Sequence, residues 1–251
     1  MPVLAILFLA VAAAILGRTL KSDGRKYAAF KAAETTEQRQ AYLRRWLLQS
    51  FGFYFLFPIV ALACLGQLGA LIAFPPTFAP LNDTFGVLFD HPQFLIGFAI
   101  AYPLGLAALI VVARRRRKAG VLPEYGALIP RNAAERRWVV LLSLNAGLSE
   151  ETFFRLFLPL LLTLLVGHPG AVFAGVTALF GLVHRYQGWK GVIGTMVIGG
   201  LLAFVYLATQ SLALAMAVHA GFNLNALILV PLRQISRQRR AAGRSAGAQA
   251  S

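Results

Sequence analysis

The sequence predicts an all-α fold, a polytopic membrane helical bundle of about seven transmembrane helices. Hydrophobic residues make up 58% of the 251 residues and charged residues only 13%. The mean hydropathy is +0.68, which is outside the range of ordinary soluble domains. Several apolar runs approach the roughly 20 residues that a helix needs to cross a bilayer. We therefore expect a multi-pass protein of the cell membrane, with residues 1–232 forming one integral membrane domain.

Seven apolar runs are the predicted crossings. They are Val3–Leu16, Trp46–Phe74, Phe94–Ala113, Trp138–Val166, Ala171–His184, Gly191–Ala208 and Leu212–Leu232. The first run has no basic residue before it, which favours a retained helix, with a cleaved signal peptide as the alternative. Residues 18–45 are basic and helix-compatible, and they predict an amphipathic segment along the cytoplasmic surface.

The remaining connections are predicted to be loops. Residues 75–92 form a Pro-rich outer loop that contains His91 and no lysine or arginine, and Gly167–Gly170 is a tight turn in which His168 is a turn residue. The five basic residues RRRRK at 114–118 follow a predicted crossing directly, which is typical of a cytoplasmic stop. Residues 233–251 are predicted to be a disordered basic tail.

The net charge of +15 fixes the orientation of the predicted bundle. All but one of the 24 lysines and arginines fall in segments that are cytoplasmic if the N-terminus is outside and the C-terminus is inside. We interpret these cations as topology signals that meet anionic membrane lipid, and not as a nucleic-acid site. The exception is Arg155, which lies inside the fourth crossing.

Three charged residues occur together within that crossing, in the stretch SEETFFRL (149–156). Charged side chains in a bilayer are costly, so they are usually paired and functional. Glu151 and Arg155 are four residues apart on one helical face, which predicts an ion pair. Glu150 is turned about 100° away and faces something else. The alternative is that Glu150 only accepts hydrogen bonds from neighbouring helices.

Two later helices present further polar residues at helical spacing. Phe180 and His184 are four residues apart, as are His219 and Asn223. Each pair therefore shares a helical face. A lone histidine on an apolar face is usually a packing residue. Two of them in separate helices, beside a glutamate without a partner, favour a polar site.

In this order, the motifs EExxxR (150–155), FxxxH (180–184) and HxxxN (219–223) resemble the CPBP family of intramembrane proteases, also called Abi. That family includes endopeptidases that trim farnesylated CaaX proteins. The resemblance covers about residues 138–230, the predicted catalytic core. Leu156 is one departure, because many bacterial relatives carry glycine there.

The resemblance implies a glutamate-dependent endopeptidase without a metal or other cofactor. Glu150 and His184 would activate a water, and His219 and Asn223 would stabilise the oxyanion. Glu151 and Arg155 would be a structural ion pair, and Phe180 a packing or substrate-pocket residue. The implied partners are membrane lipid and a peptide or protein substrate, which can be membrane-associated.

The same residues bear on other protease chemistries and on other classes of protein. Asp23, Asp83 and Asp90 fall outside the predicted crossings, and neither an HExxH motif nor a motif around Cys64 is present. A zinc ion held by Glu150, His184 and His219 remains an alternative. Ser149 could formally pair with a histidine, although a helix N-cap role is favoured. The non-enzymatic alternatives are a membrane scaffold or regulator that retains the polar cluster and, less favoured, a transporter.

Overall fold

The structure, a computed structural model, describes residues 2–89 and 124–232, and within these ranges the expected all-α fold is confirmed. No β-strand is present among these residues. The helices are α1 (Pro2–Ala32), α2 (Thr36–Phe51), α3 (Phe57–Cys64), α4 (Ala79–Phe89), α5 (Ala133–Glu151), α6 (Leu158–Val166), α7 (Pro169–Val183), α8 (Gly188–Thr209) and α9 (Leu212–Leu224). Short 3-10 turns cover Leu68–Leu71, Pro76–Phe78, Glu124–Leu128 and Arg185–Gln187.

Four helices within the described ranges are long and apolar enough to cross a membrane. They are Val3–Ala32, Thr36–Cys64, Arg185–Thr209 and Leu212–Leu232. Large apolar side chains such as Ile6, Val60, Ile193 and Val197 are exposed on these helices. Exposed apolar surface of this extent is what contact with lipid requires. The chain is therefore a membrane protein, while the count of seven crossings and the orientation of the termini remain predictions.

The first half of the chain departs from the predicted boundaries. Helix α1 does not end at Leu16 but continues to Ala32, because Tyr27 and Phe30 are buried against other helices and hold its polar half in place. The predicted segment 18–45 thus comprises the end of α1, a turn and the start of α2. Thr35 caps α2 with a complete capping box. Whether this segment follows the membrane surface remains a prediction.

The second predicted run, to Phe74, is wrong at its end. The helix stops at Cys64, and Gly66 adopts a φ of +67° that a helix cannot continue through. The predicted outer loop is also wrong in part, because residues 79–89 form α4. Asn82 anchors this helix, since its amide donates to the Leu207 carbonyl at 2.8 Å and accepts from Gln210 at 2.7 Å.

Four sequence-based predictions lie outside the described residues. They are the loop position of His91, the crossing Phe94–Ala113, the basic stop at 114–118 and the disordered tail 233–251. The loop residue Asp90 also lies there.

Three π-helical segments interrupt the long helices of the described chain. They are Gly52–Leu56, Thr152–Phe157 and Asn225–Leu229. Each ends two residues before a proline, namely Pro58, Pro159 and Pro231. A proline inside a helix lacks an N–H and its ring clashes with the carbonyl four residues earlier. A wider turn ahead of the proline relieves that clash.

A buried ion pair joins α2 to the start of α5. Arg39 Nε lies 3.0 Å from Glu135 Oε1, and the two side chains are 1% and 0% exposed. Arg39 also donates to the Ala127 carbonyl at 2.8 Å, and its guanidinium lies 4.2 Å from the centre of the Phe30 ring. The sequence analysis did not distinguish Arg39 from the other basic residues of the segment 18–45. The carboxylate of Glu135 neutralises the buried charge of Arg39.

Helices α5 and α9 approach each other closely at Gly147, which leads to a first prediction. A Cβ at this position would lie 2.5 Å from the Met216 carbonyl oxygen and 3.0 Å from Ala220 Cβ. We expect Gly147→Ala to lower the free energy of unfolding by about 1–3 kcal/mol, measured by thermal unfolding in lipid. Gly175→Ala is the matched control, because nothing lies within 4 Å of its Cβ position. Equal stability of the two variants would contradict the close approach.

Candidate active site

The acidic pair lies at the end of α5, where the helix changes to π geometry. Asn132 caps the start of α5 by accepting from the Glu135 N–H at 2.9 Å. The helix then continues through Thr152–Phe157 into α6 without a break, and all six residues of that π segment are buried. π-Helical turns are frequent at functional sites. Glu150 and Glu151 therefore sit in the middle of a long, well-packed helix, directly before the wider turn.

Glu151 and Arg155 contact each other within this helix. Arg155 Nε lies 3.1 Å from Glu151 Oε2, and both side chains are fully buried. The Arg155 guanidinium also lies 4.7 Å from the centre of the Phe180 ring. Gly199 on α8 makes room for that ring, because a Cβ there would lie 2.8 Å from Phe180 Cδ1. The only cation in this part of the helix is thus paired with Glu151.

The second carboxylate oxygen of Glu151 contacts a histidine from another helix. His219 Nδ1 on α9 lies 2.7 Å from Glu151 Oε1. The carboxylate that pairs with Arg155 can only accept, so His219 Nδ1 donates. Sequence reasoning missed this contact, because it joins residues 68 positions apart and neither motif alone indicates it.

Glu150 faces both histidines without bonding to either. Its Oε2 lies 3.9 Å from His184 Nε2 and 3.9 Å from His219 Nε2. These distances exceed a hydrogen bond but leave room for one small molecule between each pair of atoms. No protein hydrogen bond reaches Oε2 in the described chain. The Glu150 side chain is 18% exposed, whereas that of Glu151 is 0% exposed.

His184 is held by the end of α7. Its Nδ1 lies 2.8 Å from the Phe180 carbonyl oxygen, and a carbonyl can only accept, so Nδ1 carries the hydrogen. In the neutral ring, Nε2 is then a lone-pair acceptor directed toward Glu150. His184 caps α7, and the 3-10 turn Arg185–Gln187 follows it. The ring is 16% exposed and therefore accessible.

Phe180 and Asn223 occupy different surroundings. Phe180 is 2% exposed, and its ring centre lies 4.8 Å from that of His184 and 6.1 Å from that of His219. It therefore packs against both histidine rings. Asn223 lies one turn after His219 on α9 and is half-buried. Within the described chain, the Asn223 amide makes no hydrogen bond to Glu150, His184 or His219.

The structure corrects the interpretation of one residue and adds to that of another. Ser149 is not an N-cap: it lies near the C-terminal end of α5, fully buried, and donates to the Asn145 carbonyl at 2.6 Å. His168 is in the turn before α7, where its Nδ1 accepts from the Ala171 N–H at 3.2 Å. Among residues 2–89 and 124–232, no group of three histidine, cysteine or acidic side chains has the arrangement to hold a metal ion.

The fold and this cluster define a helical membrane protein with a partly buried carboxylate set between two histidines. Residues 133–225 match a family model that is described as type II CAAX prenyl endopeptidase Rce1-like. Over these residues the chain is similar to the CAAX endopeptidases of the CPBP family, which confirms the resemblance that its motifs indicated. Searches of curated proteins and of solved structures found no significant match.

Proposed function

We propose that this protein is a multi-pass intramembrane endopeptidase of the cell membrane, which hydrolyses a peptide bond with an activated water and without a metal ion. The family match supports an endopeptidase of the CAAX protease type. The observation that carries the proposal is the position of Glu150. Its Oε2 has no protein hydrogen bond and lies 3.9 Å from Nε2 of both His184 and His219.

In the proposed mechanism, Glu150 and His184 hold the attacking water between them. The carboxylate and the His184 Nε2 lone pair are both acceptors, and a water has two O–H groups to donate. One water can bridge acceptors 3.9 Å apart through two hydrogen bonds of about 2.8 Å. The water oxygen then keeps its lone pairs free for attack.

The proton balance of the reaction follows from these positions. The water oxygen bonds to the peptide carbonyl carbon, one water proton passes to Glu150, and the carbonyl oxygen becomes an oxyanion. When the tetrahedral intermediate collapses, the C–N bond breaks and Glu150 returns its proton to the departing amine. The products are a carboxylic acid and an amine, which become a carboxylate and an ammonium ion when the acid passes its proton to the amine, and Glu150 is regenerated.

His219 and Asn223 form the proposed oxyanion hole. Both lie on α9, one turn apart, and His219 Nε2 lies 3.9 Å from Glu150 Oε2. His219 Nε2 and the Asn223 amide would donate to the developing negative charge. In a site shielded from water, one such donor contributes about 3–4 kcal/mol to stabilising the transition state.

Cleavage by the purified protein tests this function, and metal removal supplies a second prediction. We expect the protein in liposomes to cleave an internally quenched peptide that ends in a farnesylated CaaX sequence.

Addition of EDTA or 1,10-phenanthroline should leave the initial rate unchanged, because Glu150 supplies the base. A rate lost on chelation and restored by zinc, together with stoichiometric bound zinc, would overturn the metal-free mechanism. Solute or proton flux without cleavage would favour a transporter instead.

A further inference from the structure

The two histidines of the site differ in the group that their Nδ1 atoms face. His184 Nδ1 donates to a neutral backbone carbonyl at 2.8 Å. His219 Nδ1 donates to the Glu151 carboxylate at 2.7 Å. A carboxylate stabilises the doubly protonated form of an imidazole, whereas a neutral carbonyl does so much less. The two histidine rings can therefore carry different numbers of protons.

This difference matters because a neutral His219 could not serve the proposed mechanism. With its single hydrogen on Nδ1, the neutral ring has only a lone pair on Nε2, and a lone pair repels an oxyanion. A second proton on Nε2 converts the ring into a donor. Resting on the proposed function, we infer that Glu151 is a positioning residue that holds His219 doubly protonated, with Nε2–H directed toward the substrate carbonyl.

The surroundings of Glu151 suit that role. Its side chain is 0% exposed, and its two oxygens have separate partners, His219 on Oε1 and Arg155 on Oε2. Arg155 is in turn fixed by the Phe180 ring. The carboxylate is thus held rigidly beside His219, and Arg155 prevents it from turning toward Glu150. With both glutamates ionised and His219 doubly protonated, Glu150, Glu151, Arg155 and His219 carry no net charge, as a buried cluster requires.

Three variants distinguish a positioning role of Glu151 from a purely structural role in the helix. Arg155→Met removes the ion pair but keeps the carboxylate beside His219. Glu151→Gln removes the carboxylate but leaves a buried Arg155 unpaired, which endangers folding. The double variant Glu151→Gln/Arg155→Met removes both charges and avoids that problem. We expect kcat per folded molecule of the double variant to be at least about tenfold below that of Arg155→Met, with KM similar in both, on the quenched farnesylated peptide.

A spectroscopic readout follows His219 directly. The chain contains only four histidines, so ¹⁵N-histidine labelling of the full protein gives a simple spectrum, and His219→Gln assigns the signal. We expect both ring nitrogens of His219 to be protonated in the wild type and in Arg155→Met, and only one in the double variant. Equal kcat in Arg155→Met and the double variant, or an unchanged His219 signal in the double variant, would overturn the inference. If the proposed function itself is wrong, Glu150→Gln will still cleave the peptide fully, and this outcome is separate from the two outcomes that would overturn the inference.

Discussion

Glu150→Gln is expected to reduce kcat for peptide cleavage by about 10³-fold while leaving the protein folded. Glutamine is nearly isosteric with glutamate but cannot accept the proton that the attacking water gives up. Because Glu150 Oε2 has no protein hydrogen bond, the substitution removes no structural contact at that atom. The measurement is initial cleavage rate in liposomes at saturating peptide, with thermal unfolding of the same preparations.

A second buried glutamate provides the control for this variant. Glu135 is also buried in α5, but it pairs with Arg39 at the other end of the helix. Glu135→Gln should lower the free energy of unfolding by about 3–5 kcal/mol, because it leaves a buried arginine unpaired. The molecules that remain folded should keep wild-type kcat. Wild-type kcat in Glu150→Gln would show that the carboxylate is not the base, and full function of this variant in cells would favour a membrane scaffold.

Asn223→Ala is expected to lower kcat by about 10²–10³-fold with little change in KM. The amide would donate only to charge that develops in the transition state, so its loss should not weaken binding of the ground state. Asn223 makes no hydrogen bond to the other three polar residues in the described structure, so its removal leaves the Glu151–His219 contact in place. The measurement is steady-state kinetics with the quenched farnesylated peptide.

Asn225→Ala is the matched control for the second variant. Asn225 begins the π-helical segment only two residues later, so it points to a different side of α9. We expect its kcat to stay within about threefold of wild type, because Asn225 is half-buried like Asn223 but has no role in the proposed mechanism. Equal losses in the two variants would indicate a general disturbance of α9, and an unchanged kcat in Asn223→Ala would remove this residue from the oxyanion hole.

The spacing of residues along the sequence predicted those contacts of the cluster that form within a single helix. The i, i+4 separation of Glu151 and Arg155 indicated a contact that the structure places at 3.1 Å. It also indicated that Glu150 would face a different direction. The Glu151–His219 contact joins two helices, and its existence depends on how α5 packs on α9. Hydrophobic patterns describe each helix separately and carry no information on that pairing.

The predicted helix boundaries were wrong for a related reason, because they also depend on packing between helices. Hydropathy marked the end of the apolar run at Leu16, but α1 continues because Tyr27 and Phe30 pack into a second core with Leu43 and Val139. Tertiary packing thus extends a helix beyond its apolar part. The π-helical turns were missed as well, although their signal is present in the sequence. A proline follows each of them, and Pro159 indicates the wide turn beside Glu150.

The most direct test of peptide hydrolysis by Glu150 compares the C-termini and N-termini of proteins and peptides in cells that express wild-type or Glu150→Gln protein at equal levels. Hydrolysis by Glu150 predicts a defined set of new termini that is present with the wild type and absent with the variant. The same cleaved bonds should appear when the purified wild type acts on the uncut substrates in liposomes. Identical sets of termini in the two cell populations would contradict peptide hydrolysis by this cluster.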